Sequence, residues 1–249
     1  MFNFFSKENM RKGDYYLING DDYNHIKNVL RMKIGDTFLV SENGQSHLCE
    51  IAKIENETVV AKIIEENYND TSLGINIYLF QGLPKADKME LIIQKCVELG
   101  VHTIIPVAME NCVVKLDEKK KASKVARWQS ISESAAKQSK RNYIPKIHDV
   151  LSYKESLKIA EGLDLVIVPY ENEKGMSATK ETLKKLKKGM NVGIIIGSEG
   201  GFSEREIESA KGINADIVSL GKRILRTETA AITATAMCML YCETEIDND

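Results

Sequence analysis

Apolar residues recur at two different periods along the chain, and the change falls near residue 75. Before it, residues 37–40, 46–54 and 58–64 are short β-branched and apolar runs of strand length. The turn-forming stretches Glu42-Asn43-Gly44-Gln45 and Glu55-Asn56-Glu57 separate them. Residues 22–30 place Ile26, Val29 and Leu30 at helical spacing and predict one short helix. Together these predict a small β-rich domain over residues 1–72, with the polar stretch 65–73 as its linker. After residue 75, apolar runs alternate with helical segments. The pattern predicts strands over 75–83, 102–109, 163–169, 191–196 and 216–220. It predicts helices over 87–99, 118–140, 179–187, 204–212 and 229–243. Strands alternating with helices predict a parallel sheet covered on both faces over residues 73–249.

Charge changes this picture more than composition does. With 43% hydrophobic and 28% charged residues the chain has the make-up of an ordinary globular protein. Its net charge of −2 excludes a simple polycation. The charge is segregated, however. Residues 115–146 hold ten basic and three acidic side chains, whereas residues 1–72 hold eight basic and twelve acidic ones. A local positive patch of that kind suits a phosphate backbone. The five cysteines, Cys49, Cys96, Cys112, Cys238 and Cys242, form no Cys-x2-Cys pair. Their odd number and spacing predict reduced thiols, with neither a zinc site nor a disulfide framework. No leader-like segment opens the chain and no apolar run approaches membrane-spanning length, so a cytoplasmic protein without a membrane partner is expected.

Four segments carry candidate chemistry. In residues 192–207 an apolar strand ends in Gly197-Ser198-Glu199-Gly200-Gly201, and Ser203 with Glu206 forms a capping box that opens a helix. Glycines let the backbone turn sharply and approach a ligand, and open α/β sheets bind ligands beyond the carboxyl ends of their strands. The segment has neither the Gly-x-Gly-x-x-Gly spacing of dinucleotide sites nor the Gly-Lys-Ser/Thr of phosphate loops. A tight turn without a ligand is the alternative. Residues 218–237 follow a similar plan. A strand reaches Leu220, Gly221 turns, a loop carries Lys222, Arg223 and Arg226, and a helix opens at Thr227 or Glu228. Ala230, Ala231, Ala234 and Ala236 on that helix admit a close backbone or simply fill a core. Lys85 and Lys88 follow Pro84 at another strand end, placed to meet a phosphate or only solvent. Residues 119–124 have the look of a solvated helix face, but Gln138-Ser139-Lys140-Arg141-Asn142-Tyr143 mixes charge, amide and aromatic groups ahead of Pro145.

Five pieces stand in a telling order and spacing: HIKNVLRMKIGD (25–36), LPKADKMELIIQKCVELG (83–100), KQSKRNYIPKI (137–147), IGSEGGFSEREI (196–207) and LGKRILRTETAA (220–231). Across nearly its whole length the chain resembles the RsmE family, SPOUT-class enzymes that methylate N3 of a uridine in the decoding region of 16S ribosomal RNA. The resemblance implies an α/β protein with an N-terminal PUA-like β-barrel followed by a SPOUT α/β domain with a C-terminal trefoil knot. It implies S-adenosyl-L-methionine as cofactor, 16S rRNA of the small ribosomal subunit as partner, and a homodimer with the active site near its interface. Carried over, Ile196, Gly197, Glu199 and Gly201 form one cofactor loop, and Leu220, Gly221, Ile224, Leu225 and Arg226 the other. Ser198 stands where many members have proline, and Asn3 stands ahead of Phe4-Phe5 where many have arginine.

Methylation at N3 needs the uracil anion, so it calls for a base or for positive charge near the uracil oxygens. Arg226 and Arg141 are the candidate cations and Glu228 the candidate base; the candidate RNA contacts are Arg31, Lys85, Lys88, Lys140, Arg141 and Asn142. No metal ligands are expected. A non-catalytic RNA-binding protein of this fold and a nucleotide-using small-molecule transferase are the alternatives. The loop glycines weigh against the first, and the β-rich front domain with the basic segment against the second.

Overall fold

The change of hydrophobic period is a change of sheet. The computed structural model describes residues 1–7, 9–173 and 175–247. Its chain divides into one unit of Met1–Ser72 with Ala136–Ile144 and a second of Leu73–Ala135 with Pro145–Asp249.

In the first unit, β1 (Asn3–Phe5), β2 (Arg11–Lys12), β3 (Tyr15–Ile18), β4 (Thr37–Glu42), β5 (Gln45–Glu55) and β6 (Thr58–Glu65) form one sheet ordered β1-β4-β5-β6-β3-β2. Among the described residues of this sheet, only the β1–β4 pairing is parallel. Two tight turns set the register. Asn43 and Gly44 join β4 to β5 with φ of 51° and 80°, and Asn56 and Glu57 join β5 to β6 with φ of 47° and 57°. Positive φ at both central residues matches the right-handed twist of the flanking strands. Phe4, Tyr16, Ile18, Ile26, Phe38, Val40, Cys49, Ile51, Val59 and Ala61 make the core.

The expected helix over 22–30 is different in form. It begins as α1 (Gly20–Asn24) and continues as a π-helical turn, His25–Val29. That wider turn shifts the helical phase, so Ile26 is buried while Val29, expected on the apolar side, is 68% exposed.

The segment 136–144 is a strap on this first unit. Asn3 Nδ2 and Ser41 Oγ both donate to the carbonyl of Arg141, at 3.0 and 3.3 Å. Asn142 Nδ2 donates to Asp70 at 2.9 Å, and the Lys137 ammonium lies 3.2 Å from the buried Asp22 carboxylate.

In the second unit, β7 (Asn76–Gly82), β8 (Thr103–Ala108), β9 (Lys146–Ile147), β10 (Leu151–Ser152), β11 (Leu165–Pro169), β12 (Asn191–Ile196) and β13 (Asp216–Val218) are all parallel. Their order is β10-β8-β7-β12-β11-β13, with β9 also on β8. Helices α2 (Lys88–Glu98), α3 (Glu118–Ser139), α4 (Tyr153–Ala160), α5 (Ser177–Leu183), α6 (Glu204–Gly212) and α7 (Thr227–Glu245) connect and cover them. The central strands are buried along their length, as continuous apolar runs require. The last helix, α7, leaves the edge strand β13 yet packs against β7, β12 and α2. The chain therefore recrosses the carboxyl ends of the sheet between residues 219 and 226. Strands β9 and β10 and helix α4 fall outside the sequence expectation. Two-residue strands carry no period, and α4, two turns long, is announced by its Ser152–Glu155 capping box and by Tyr153, Leu157 and Ala160 at helical spacing. Among the described residues no helix is long and apolar enough to cross a membrane.

Candidate functional site

Three loops meet at the carboxyl ends of β11, β12 and β13 and enclose a cavity of about 410 Å3. That is ample for a ligand of nucleoside size. All nine residues assigned to a cofactor from the sequence line it: Ile196, Gly197, Glu199, Gly201, Leu220, Gly221, Ile224, Leu225 and Arg226. Lys88 reaches the same wall.

The loop after β12 owes its shape to small residues and a hydroxyl. Gly201 has φ of +65°, a conformation that glycine adopts at little cost. A Cβ on Gly197 would crowd the Phe202 ring at 3.3 Å, and one on Gly82 would stand 2.6 Å from the Ser198 amide nitrogen. Ser198, the residue that replaces a common proline, accepts from the Gly200 amide through its hydroxyl and from the Gly201 amide through its carbonyl. The loop then enters α6 through the expected capping box. Ser203 Oγ accepts from the Glu206 amide, and the Glu206 carboxylate accepts from the Ser203 amide. The other Glu206 oxygen accepts from the Glu110 amide at 2.9 Å, tying α6 to the end of β8.

The loop after β13 is pinned at both ends. Thr179 Oγ1 donates to the Ser219 carbonyl at 2.7 Å, and Thr227 Oγ1 donates to the Gly197 carbonyl at 2.6 Å. Behind Thr227 the fully buried Gln81 donates to the same hydroxyl at 2.9 Å and to the Gly82 carbonyl at 2.9 Å. Gln81, near the end of β7, thus backs the tie between the far end of this loop and the start of the loop after β12.

Charges at the wall are divided. Glu199 accepts from the Lys85 backbone amide at 2.9 Å and from the Lys88 ammonium at 3.0 Å. Burial alone would raise its carboxyl pKa, but those two donors outweigh it and hold the group below the ordinary carboxylate range. The hydrogen bond to Glu199 in turn raises Lys88 above the usual lysine range, with Glu228, 3.4 Å away, adding to the effect. Lys222, Arg223 and Arg226 are exposed, and so is Glu171 on the opposite wall. Cys96 of α2 and Cys238 of α7 are buried, with thiols pushed by burial up to about 12, so neither is a ready nucleophile.

Several sequence candidates are relocated. Arg141 is 3% exposed and belongs to the first unit, whereas the described cavity wall comes wholly from the second. Its guanidinium stacks over the Tyr143 ring at 4.6 Å and donates to the Tyr143 hydroxyl, and burial lowers its pKa. Arg141 thus packs within the first unit and does not line the described cavity. Asn142, also 3% exposed, donates to Asp70. Lys140 and Arg31 are exposed, both at left-handed φ, on loops of the first unit. Lys85 is exposed beside the cavity. Glu228 does not line the cavity and faces Lys88, which favours an ion-pair role over that of a base. Asn3, in place of an arginine, is buried and holds the strap.

Sequence reasoning missed Glu171, Tyr170, Gln81 and Thr227. Tyr170-Glu171 directly follows the apolar strand β11, a position the strand-end rule marks. Gln81 is the lone amide within the apolar half of β7. Both signals were present but carried no glycine to draw attention.

Comparison with known proteins agrees with this geometry. Residues 71–239 match a family described as an RNA methyltransferase domain, and residues 18–64 one described as an RNA methyltransferase PUA domain. Ribosomal RNA small subunit methyltransferase E of Bacillus subtilis is 38% identical over 233 residues, 92% of this chain and 91% of the relative. The protein of the same name from Mesomycoplasma hyopneumoniae is 32% identical over 96% of this chain and 99% of its own. The crystal structure of ribosomal RNA small subunit methyltransferase E from Neisseria gonorrhoeae bound to S-adenosyl methionine superposes with a TM-score of 0.80 at 31% identity. It covers 95% of both chains.

Proposed function

Because the chain belongs to the ribosomal RNA small subunit methyltransferase E family, we propose that it transfers a methyl group from S-adenosylmethionine to N3 of one uridine in the decoding region of 16S rRNA. The observation that carries this reading is the convergence of all nine cofactor candidates on one cavity. The cradle fits such a group. Its floor is glycine where a side chain would intrude, and its rim mixes two acids, Glu171 and Glu199, with several cations, matching a zwitterionic amino acid joined to a nucleoside.

When bound, the cofactor supplies an electrophilic methyl carried on a sulfonium. The chain's own residues do the rest. The backbones of Gly197, Gly201, Gly221, Ile224 and Leu225 shape the cradle, and the Gln81–Thr227–Gly197 hydrogen bonds keep the two loops at fixed separation. Arg226, exposed at the mouth, holds negative charge on a uracil oxygen as the N3 proton leaves. Its guanidinium stays charged at every working pH. With Glu228 paired to Lys88, that proton passes to solvent.

We infer further that the recrossing of residues 219–226 is the threading of a trefoil knot. We also infer that α7 mediates a homodimer and that the substrate is the assembled small subunit in the cytoplasm. The five free, buried thiols suit a reducing compartment. The test is mass spectrometry of the rRNA of assembled small subunits lacking the modification, after incubating those subunits with enzyme and isotopically labelled S-adenosylmethionine. One labelled 3-methyluridine is expected; no labelled nucleoside would refute the reading. Calorimetry should show binding of S-adenosylmethionine and none of NAD or ATP.

A further inference from the structure

Ile224 has the highest exposure of the large apolar side chains among the described residues, 86%. It stands in the loop that lines the cavity, with Lys222, Arg223 and Arg226 beside it in sequence and all three exposed. Residues 219–227 contain no acid. An apolar protein face is a poor match for such a tip, since the flanking cations would be desolvated without partners. A polyanion with an apolar interior is a good one. Phosphates meet the cations, and stacked bases meet the isoleucine.

The fold holds this tip rigidly at its base and leaves it open at its end. The Ser219 amide and carbonyl are both taken by Thr179 Oγ1, at 3.3 and 2.7 Å. Gly221, with φ of +108°, turns the chain outward while its amide donates to Ser219 Oγ at 3.2 Å. Thr227 clamps the far end to Gly197. Lys88, the remaining cation on the wall, is engaged by Glu199 and Glu228. In the 138–143 cluster, Arg141 and Asn142 are hydrogen-bonded into the strap, and Lys140 is exposed.

We propose that this loop tip opens the RNA. Lys222 and Arg223 hold phosphates flanking the target nucleotide, and Ile224 fills the space its base leaves in the stack. The proposal rests on the methyltransferase reading above. N3 lies on the pairing edge of uracil, so a stacked base cannot present it inside a cavity. Extrusion breaks stacking and pairing, and a wedge that re-covers the neighbouring bases offsets that cost.

The test uses the full chain and assembled small subunits whose rRNA lacks the modification. In the Lys222→Glu/Arg223→Glu variant, the slope of log affinity against log salt should flatten by about 1.4, for two lost contacts to single-stranded RNA. The slopes are measured at saturating S-adenosylmethionine, because both residues line the cofactor cavity and their reversal also weakens cofactor binding. Ile224→Ala should keep that slope but slow single-turnover methyl transfer by roughly tenfold or more, because unstacking is no longer offset. Ile224→Leu should restore the rate. A 2-aminopurine next to the target should brighten with wild type and stay dim with Ile224→Ala. An unchanged salt slope with an active wild type overturns the clamp. A full rate for Ile224→Ala, or a changed solution mass marking the tip as a contact between copies, overturns the wedge. A wild type that transfers no methyl while the slope still flattens refutes the methyltransferase reading and leaves the clamp standing.

Discussion

Gly201 shows how one residue joins backbone shape to ligand space. Its φ of +65° disfavours any β-branched residue, and a Cβ there would lie 3.2 Å from the Glu171 carboxylate. Gly201→Val should therefore abolish S-adenosylmethionine binding by calorimetry, while circular dichroism retains the native helix content; undiminished affinity would remove the loop from the site. Arg226 gives the catalytic counterpart. Arg226→Ala should cut turnover far more than cofactor affinity, as for a group used mainly in the transition state, and Arg226→Lys should rescue only in part. Near-normal turnover of Arg226→Ala would refute that role. The Lys88–Glu199 pair sets a pH window. Glu199 is depressed, so its contribution is present above the ordinary 4.5 and lost as pH falls through its lowered value. Lys88 is raised, so its contribution is present below 10.5 and lost as pH rises beyond. Cofactor affinity should stay flat across neutral pH while the methyl-transfer rate climbs with N3 ionisation. Parallel pH dependence of both would show that a group of the cavity titrates instead. At this scale the glycines were legible because conformational need is written in residue type. The fate of Arg141 was not, because the partner it stacks on lies two residues away while the cavity it was assigned to lies in another unit.

At the scale of elements, long periodic segments were legible almost to the residue: β12 and α6 occupy the anticipated 191–196 and 204–212. Elements whose period is too short to register, β1 to β3 and β9 and β10, were not, because their pairing is decided by partners distant in sequence. The same applies to segment 136–144. Its basic, amide-rich composition fits RNA, yet its hydrogen bonds to Asn3, Ser41 and Asp70 make it part of the first unit's packing. Arg141→Glu should consequently destabilise the fold by about 3 kcal/mol or more, since it buries a charge with no compensating cation. Thermal unfolding would read this as a large drop in midpoint. An unchanged midpoint with weaker RNA binding would return Arg141 to the RNA surface. Thr227→Val tests the other inter-element tie. It removes the 2.6 Å bond to Gly197 and the acceptor of Gln81, at a cost of about 1–3 kcal/mol. Cofactor affinity should fall along with stability, because the bond sets the distance between the two cofactor loops. A loss of stability alone would make the bond purely structural.

At the scale of the whole molecule, α7 is apolar on more sides than one chain can cover. Ala231, Ala234, Thr235, Cys238 and Cys242 are buried, and the helix packs on α2. The remaining face still carries Ile232, Ala236, Met237, Met239 and Tyr241 half-buried and Leu240 55% exposed, with Leu91 of α2 42% exposed. A helix that is apolar all round belongs in an interior. A second copy placed about a two-fold axis provides one, since an isologous patch must match itself. Light scattering should thus give twice the chain mass of 27.9 kDa at micromolar concentration. Leu240→Glu puts a charge into that patch and should yield a single-chain particle with unchanged circular dichroism. The α7 amino terminus at Thr227 is the same helix end that holds the cofactor loops, so a monomer loses the support of that end as well as any group the second copy lends. The Leu240→Glu monomer should therefore lose methyl transfer on small-subunit rRNA although Lys222, Arg223 and Arg226 are untouched. A wild type of single-chain mass would refute the dimer. A Leu240→Glu monomer with full activity would confine the interface to assembly and leave each chain a self-sufficient site.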